Sequence, residues 1–216
     1  MSDIIKINSV QLIQQYQQEL CKFEKDIYLP LFPLSSEREK FEDILCRVGG
    51  ENLPQTLIYL YREGSEIVGG IIVDLFPNIN FIQPIYLAVR KDKQKNGIGK
   101  RLMGVVENDA TCLGFNWCII EADNPELTSM QDTSMDPKIR VNMYKKWGYN
   151  IIPCNYIQPP LDETKDYDNH LLLLSKDLSC VKLSKHTLSN FLSEFYKGLG
   201  GSDEVLQQVI NSIKID

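Results

Sequence analysis

The chain has 216 residues, 43% of them hydrophobic and 24% charged, and a net charge of −6 at neutral pH. This is the composition of a soluble globular protein with room for a sizeable core, and the acidic balance argues against nucleic acid as a partner. No apolar run approaches the length of a membrane span, and the six scattered cysteines contain no Cys-x-x-Cys, which argues against a zinc site or a disulfide framework.

The elements follow from hydrophobic period and punctuation. Ile4–Asn8 reads as a first strand. Gln11–Tyr28 carries Leu12, Tyr16, Leu20, Phe23 and Ile27 at helical spacing, with Pro30 and Pro33 ending the helix. Ser36-Glu-Arg-Glu39 is a capping box for a second helix with Phe41, Leu45 and Val48 on one face, closed by Gly49-Gly50. Gln55–Tyr61, Glu66–Leu75 and Phe81–Val89 read as an antiparallel meander with turns at Glu63-Gly64-Ser65 and Pro77-Asn78. A helix then runs to about Cys112, and Asn116–Glu121 is a fifth strand. Asp136-Pro137 starts a helix that ends near Trp147, since proline suits a first helical position. Tyr149–Cys154 and Asn169–Ser175 are the last strands. Ser184–Leu199 and Ser202–Ile213 are two further amphipathic helices. They form a C-terminal extension, residues 179–216, to a main domain of residues 1–178. Their apolar stripes suit packing on that domain or on a homodimer partner, and the sequence does not choose between these.

The segment that carries chemistry is Val89 to Met103. An apolar strand ends at Val89, a basic loop follows, and an amphipathic helix opens at Ile98 after Gly97. The backbone N–H groups at such a helix start are unpaired and lie at the positive end of its dipole, and glycine lets a phosphate approach closely. From Arg90 to Arg101 there are six basic residues and one acid, a local net of +5 on an acidic chain. The Walker pattern fails at Gln94 and Arg101, and the dinucleotide pattern fails at Leu102. What remains is Gln94-Lys-Asn-Gly97-Ile-Gly99, of the form Q/R-x-x-G-x-G/A.

In this loop the sequence resembles the GCN5-related N-acetyltransferase superfamily. Tyr144-Lys-Lys-Trp-Gly148-Tyr149 resembles that family's Tyr-x-x-x-Gly-Phe/Tyr segment. The resemblance covers roughly Gln55 to Ile152. It implies an α/β fold with a mixed central sheet of six to seven strands flanked by helices. It implies acetyl-coenzyme A as cosubstrate and no metal. The ligand would be held by the backbone of Leu87, Ala88 and Val89 and by the loop Gln94, Lys95, Asn96, Gly97, Ile98, Gly99 and Lys100. Tyr144 matches the family tyrosine that protonates the departing thiolate. A phenol is still protonated at neutral pH and suits that task. Many relatives carry an asparagine seven residues before this tyrosine. Here that residue is Pro137, Asn142 is out of register, and the role is not transferred.

Glu121, at the end of the fifth strand, is the favoured general base, with Asp123, Glu42 and Tyr86 as alternatives. Trp117 and Trp147 read as core residues, and both histidines as structural. The loop 123–137, with Asp123, Glu126, Asp132 and Asp136, suggests a cationic primary amine as acceptor. Tyr156-Ile-Gln-Pro-Pro-Leu161 is a stiff connection that either walls the acceptor site or simply crosses over. The first residues, Met-Ser-Asp-Ile-Ile-Lys, lack the layout of a signal peptide, and the cysteines read as reduced core or near-core residues, so the expectation is a cytoplasmic enzyme. The alternative class is a non-catalytic acyl-coenzyme A sensor or interaction module. The intact loop speaks against a scaffold that kept only the fold.

Overall fold

The computed structural model describes residues 2–34, 38–50, 54–128 and 135–215. The protein is an α/β structure with seven strands, their pairings mostly antiparallel, flanked by helices. It divides into two compact units: residues 1–76 with 82–113, and residues 77–81 with 114–216. Among the described residues no helix is long and apolar enough to cross a membrane, and no cluster of His, Cys, Asp or Glu could hold a metal ion.

The first unit orders side by side β1 (Ser2–Ile7), β2 (Gln55–Glu63), β3 (Glu66–Phe76) and, from Ile82 onward, β4 (Phe81–Val89), whose first residue Phe81 belongs to the second unit. The β1–β2 and β2–β3 pairs are antiparallel, with a register shift at Tyr61/Arg62. β2 is buried from Thr56 to Tyr61 because both faces are covered. Ile58 and Leu60 join Phe23, Ile27, Tyr28, Phe41 and Ile44 from the helical layer. That layer is α1 (Val10–Gln15), α2 (Gln17–Phe23), α3 (Leu29–Leu31) and α4 (Phe41–Arg47). Strand alternation sends Tyr59 and Tyr61 to the other face. There α5 (Ile98–Cys112) buries Ile98, Leu102, Met103, Val106 and Ala110. Each larger side chain of that stripe contributes roughly 2 kcal/mol of burial. Asp109 on α5 accepts hydrogen bonds from Lys6 (2.6 Å) and Tyr59 (3.0 Å), which fixes the helix on the sheet. Gly70 is required where it stands: a Cβ there would lie 2.6 Å from the Phe23 ring.

The helix expected as one piece over 11–28 is broken. It pauses at Tyr16, and residues Glu24–Tyr28 form a π-helical turn. Pro30 explains the turn, because it has no N–H to give Asp26 and the backbone widens to bond Leu29 N–H to Glu24 O instead. The capping box falls partly outside the described residues, at Ser36 and Glu37. The helix itself starts only at Phe41, with Lys40 as N-cap and no side-chain cap. Glu39 pairs bidentately with Arg47, at 2.5 and 3.2 Å.

Arg47 also lies 3.6 Å from Asp74, which accepts from Thr56 Oγ1 at 2.6 Å. Burial pushes the Asp74 carboxyl up to about 6, against the pull of Arg47 and Thr56. An acid raised on folding binds its proton more tightly in the folded state. Its contribution to stability is full below about pH 4 and is lost as pH rises through about 6. Asp74→Asn keeps the acceptor for Thr56 and removes the titration. Its melting temperature should gain on wild type as pH rises from 4 to 7, by the equivalent of up to roughly 3 kcal/mol. A constant difference across that range would contradict the assignment.

The second unit pairs β5 (Trp117–Asp123) with β7 (Leu171–Asp177), and β7 with the two-residue β6 (Asn150–Ile151), both antiparallel. α6 (Pro137–Lys146) begins where proline predicts, capped by Asp136. α7 (Lys185–Gly198) and α8 (Asp203–Ser212) are capped by Ser184 and Ser202. Their apolar stripes are buried within the chain, Leu188, Phe191, Leu192, Phe195 and Tyr196 on one and Leu206 and Val209 on the other. Phe81 packs on Trp117 and Phe191 at 4.9 Å each, and Trp117 Nε1–H donates to Val181 O. Trp117 is buried as expected, whereas Trp147 is only half-buried. The cysteines depart from the core or near-core placement. Cys118 is buried, Cys154 intermediate, and Cys21, Cys46, Cys112 and Cys180 are exposed. The helical ones lie on the solvent faces of α2, α4 and α5.

Candidate active site

The loop between β4 and α5 belongs to the first unit. β4 ends at Val89, whose carbonyl accepts from Gln94 Nε2 at 3.0 Å, so the glutamine side chain ties the loop to the strand it leaves. Lys95 (φ +66°) and Gly97 (φ +78°) are both left-handed. Left-handed residues alternating with ordinary ones turn successive N–H groups toward one point and form an anion-binding concavity. Gly97 is the N-cap of α5 and offers no side-chain cap, whereas α1, α6, α7 and α8 are capped by Ser9, Asp136, Ser184 and Ser202. A Cβ built on Gly97 meets nothing within 4 Å. The start of a 15-residue helix is thus open toward this loop, a fit for a pyrophosphate.

The basic island is weaker than its sequence count. Arg90 is paired with Glu66 and Asp92, and Lys93 with Glu63 at 2.8 Å. Glu63 and Glu66 lie 30 and 24 residues from their partners. Including these two acids lowers the local net from +5 to +3. Arg101 donates to Ser2 Oγ and Tyr61 Oη and lies over the Tyr61 ring. Lys91, Lys95 and Lys100 are exposed and make no ion pair among the described residues. On β4, Ala88 is buried while Leu87 and Val89 are half-buried, so those two are less fully core than their composition suggests.

Tyr144 and Glu121 belong to the second unit. Tyr144 sits on the buried face of α6, edge-on to Trp147 at 5.5 Å and to Tyr149 at 5.9 Å. Its hydroxyl makes no hydrogen bond to a described residue. Desolvation holds its pKa above the ordinary phenol value, with the nearby Arg140 pulling the other way. It is therefore an acid that keeps its proton through the neutral range.

Glu121 on β5 is half-buried. Its Oε1 accepts from the Tyr156 hydroxyl and, at 2.9 Å, from Gln158 Nε2. Sequence reasoning missed both partners. The signal was the Tyr-x-Gln ahead of Pro159-Pro160, which gave only a stiff connection. The alternative bases have other work. Asp123 forms a 2.5 Å ion pair with Arg140. Tyr86 is buried, and its hydroxyl accepts from the Glu39 N–H at 2.9 Å. Glu42 is exposed on α4. In the acidic loop, Asp136 caps α6 and Asp132 lies outside the described residues. Glu126 is exposed.

Residues 54–151 match the family model described as the acetyltransferase (GNAT) domain, nearly the span of the sequence resemblance. Among solved structures the chain is similar to a GNAT-family acetyltransferase from Bacteroides thetaiotaomicron, with 16% identity, 94% of this chain and 99% of that chain covered, and a TM-score of 0.63. It is also similar to Tetrahymena GCN5, with 16% identity, 84% and 98% covered, and a TM-score of 0.54. A third is a GNAT-family acetyltransferase from Elizabethkingia anophelis with acetyl-CoA bound, with 17% identity, 82% and 97% covered, and a TM-score of 0.52. No curated protein matches the chain. At such identities the likeness is one of fold, and it joins the domain match and the loop that both sequence and structure single out. Residues 54–151 form a domain of the GCN5-related N-acetyltransferase superfamily, and the chain as a whole shares that family's fold.

Proposed function

We propose that the protein is an acetyl-coenzyme A-dependent N-acetyltransferase that acts on a primary amine by direct attack in a ternary complex. The observation that carries this reading is the open, uncapped start of α5 behind the left-handed Lys95 and Gly97. The N–H groups of Gly97, Ile98, Gly99 and Lys100, with the loop residues Gln94, Lys95 and Asn96, would hold the pyrophosphate. The backbone of Leu87, Ala88 and Val89 would hold the pantetheine arm as an added strand. Acetyl-coenzyme A supplies the activated acetyl group as a thioester.

The chain supplies the proton movements. Glu121, directly or through a water, takes the proton of the acceptor ammonium, so that the neutral nitrogen attacks the acetyl carbon. As the new C–N bond forms and the C–S bond breaks, the attacking nitrogen sheds its second proton to water, Tyr144 Oη gives its proton to the thiolate sulfur, and the phenolate is reprotonated from water. Of the acids that suggested a cationic acceptor, Asp123 and Asp136 hold Arg140 and the start of α6, so among the described residues that suggestion rests on Glu126. Six free cysteines, four of them exposed, suit a reducing compartment and support the cytoplasmic reading.

Thiol release from acetyl-coenzyme A in the presence of spermidine, kanamycin and a lysine peptide tests the proposal. Release that depends on one of these amines is expected. Cofactor binding without release would instead favour the sensor reading.

The three free lysines of the loop lead to a second expectation. Coenzyme A should bind more tightly than pantetheine, and its affinity should fall as salt rises from 50 to about 300 mM. Equal affinity for the two ligands, insensitive to salt, would remove the lysines from the site.

A further inference from the structure

The carboxylate assigned above as base is held from a part of the chain that lies beyond the family match. Tyr156 and Gln158 follow β6, 35 and 37 residues after Glu121, and both donate to its Oε1. Two donors on one oxygen fix the side-chain rotamer and leave the direction of Oε2 defined. Tyr156 is buried, and burial together with the Glu121 charge raises its pKa well above that of an ordinary phenol, so it remains a donor across the neutral range.

The gripping segment is itself held in several places. The Tyr196 hydroxyl, from α7, donates to Ile157 O, between the two gripping residues. Gln158 and Asp168 exchange backbone hydrogen bonds of 2.7 and 3.0 Å, closing the strap on itself. The Asn155 N–H donates to Ser212 Oγ at 2.8 Å, and the Lys214 N–H donates to Pro153 O at 3.0 Å, so the end of α8 and the residues just after it hold the start of the strap. Gly201, between the two helices, packs so close that a Cβ there would meet Pro159 at 3.0 Å and Tyr196 at 2.7 Å. These contacts are more than a surface crossover needs. They converge on the strap that carries Tyr156 and Gln158 to Glu121.

Resting on the reading of Glu121 as base, we infer that Tyr156 and Gln158 are positioning residues for its carboxylate, and that α7 and α8 hold the strap that carries them. The C-terminal helices are then part of the catalytic scaffold, and their integrity matters for rate. Such a role predicts an effect on the chemical step and little effect on cofactor affinity, because the group that Tyr156 and Gln158 hold is the base.

The test is a coupled set of variants assayed by thiol release with the probe amines named above. Tyr156→Phe removes one hydroxyl and keeps the ring. It should lower kcat about tenfold or more and leave KM for acetyl-coenzyme A within about twofold. Tyr196→Phe should act in the same direction, more weakly. In a Glu121→Gln background, Tyr156→Phe should cost nothing further, because the group it positions is gone. A merely structural role predicts the same loss in both backgrounds, in step with melting temperature, and would overturn the inference. If Tyr156→Phe does not fold, Gln158→Met carries the same comparison. Glu121→Gln turning over like wild type would overturn the base assignment itself. A slow Glu121→Gln beside a fast Tyr156→Phe would overturn the positioning role alone. Absence of release with every probe would remove both.

Discussion

Tyr144→Phe is expected to lower turnover about 10²-fold or more while leaving acetyl-coenzyme A affinity and melting temperature close to wild type. The geometry separates the hydroxyl from the packing. The ring lies edge-on to Trp147 and Tyr149, and phenylalanine keeps those contacts. The hydroxyl makes no hydrogen bond to a described residue, so its removal leaves no described partner unsatisfied. Desolvation raises its pKa above the ordinary phenol value, so the proton is present throughout the neutral range. A loss of rate with binding intact means that the interaction is made in the transition state. A tyrosine needed only for packing predicts the reverse, a lower melting temperature with turnover retained. Melting temperature, calorimetric affinity and turnover, measured on one preparation, decide between these.

The second large effect is expected at Gly97. With φ at +78°, this position suits glycine first, and asparagine and aspartate better than other residues. Since a Cβ meets nothing within 4 Å, Gly97→Asn and Gly97→Asp should both fold. Their difference is then one negative charge at the open start of α5. Gly97→Asp should bind coenzyme A at least about tenfold more weakly than Gly97→Asn, roughly 1.4 kcal/mol. Equal affinities in the two folded variants would place the phosphates elsewhere.

Sequence and structure agree best where punctuation is strong. β4 runs from Phe81 to Val89 as read, and α5 ends at Cys112 as read. An apolar, β-branched strand, a glycine loop and a 3.6-residue period are all local signals. The break at Tyr16 and the π-helical turn at Glu24–Tyr28 were invisible to periodicity, because the apolar spacing continues through both. Pro30 reads as a stop in the sequence, and in the fold it widens the helix, which continues to Leu31. Of the last two strands, Asn169–Ser175 keeps its length and shifts by two residues to Leu171–Asp177, while Tyr149–Cys154 shrinks. β6 has two residues, and Pro153, without an N–H, cannot extend the ladder.

The candidate site divides in the same way. Gln94–Lys100 was legible because its chemistry is written in consecutive residues. The state of its charges was not, because Glu63 and Glu66 reach Lys93 and Arg90 only through the register of the β2–β3 hairpin. Glu121 was legible as a carboxylate at a strand end. Its grip by Tyr156 and Gln158 joins residues 35 and 37 positions apart through an irregular strap, which leaves no periodic trace. The C-terminal helices showed their apolar stripes in sequence. Only the fold shows that the chain itself covers them.

The proposed reaction moves an acetyl group from a thioester to a nitrogen. The most direct measurement follows that group: the protein is incubated with acetyl-coenzyme A bearing a deuterated acetyl group and with the probe amines, and products are read by mass spectrometry beside the free thiol. One labelled acetyl on the amine is expected for each thiol released, with almost no labelled amine formed by Tyr144→Phe in the same time. Thiol released with the label recovered only as free acetate, or coenzyme A bound with no label transferred, would contradict it.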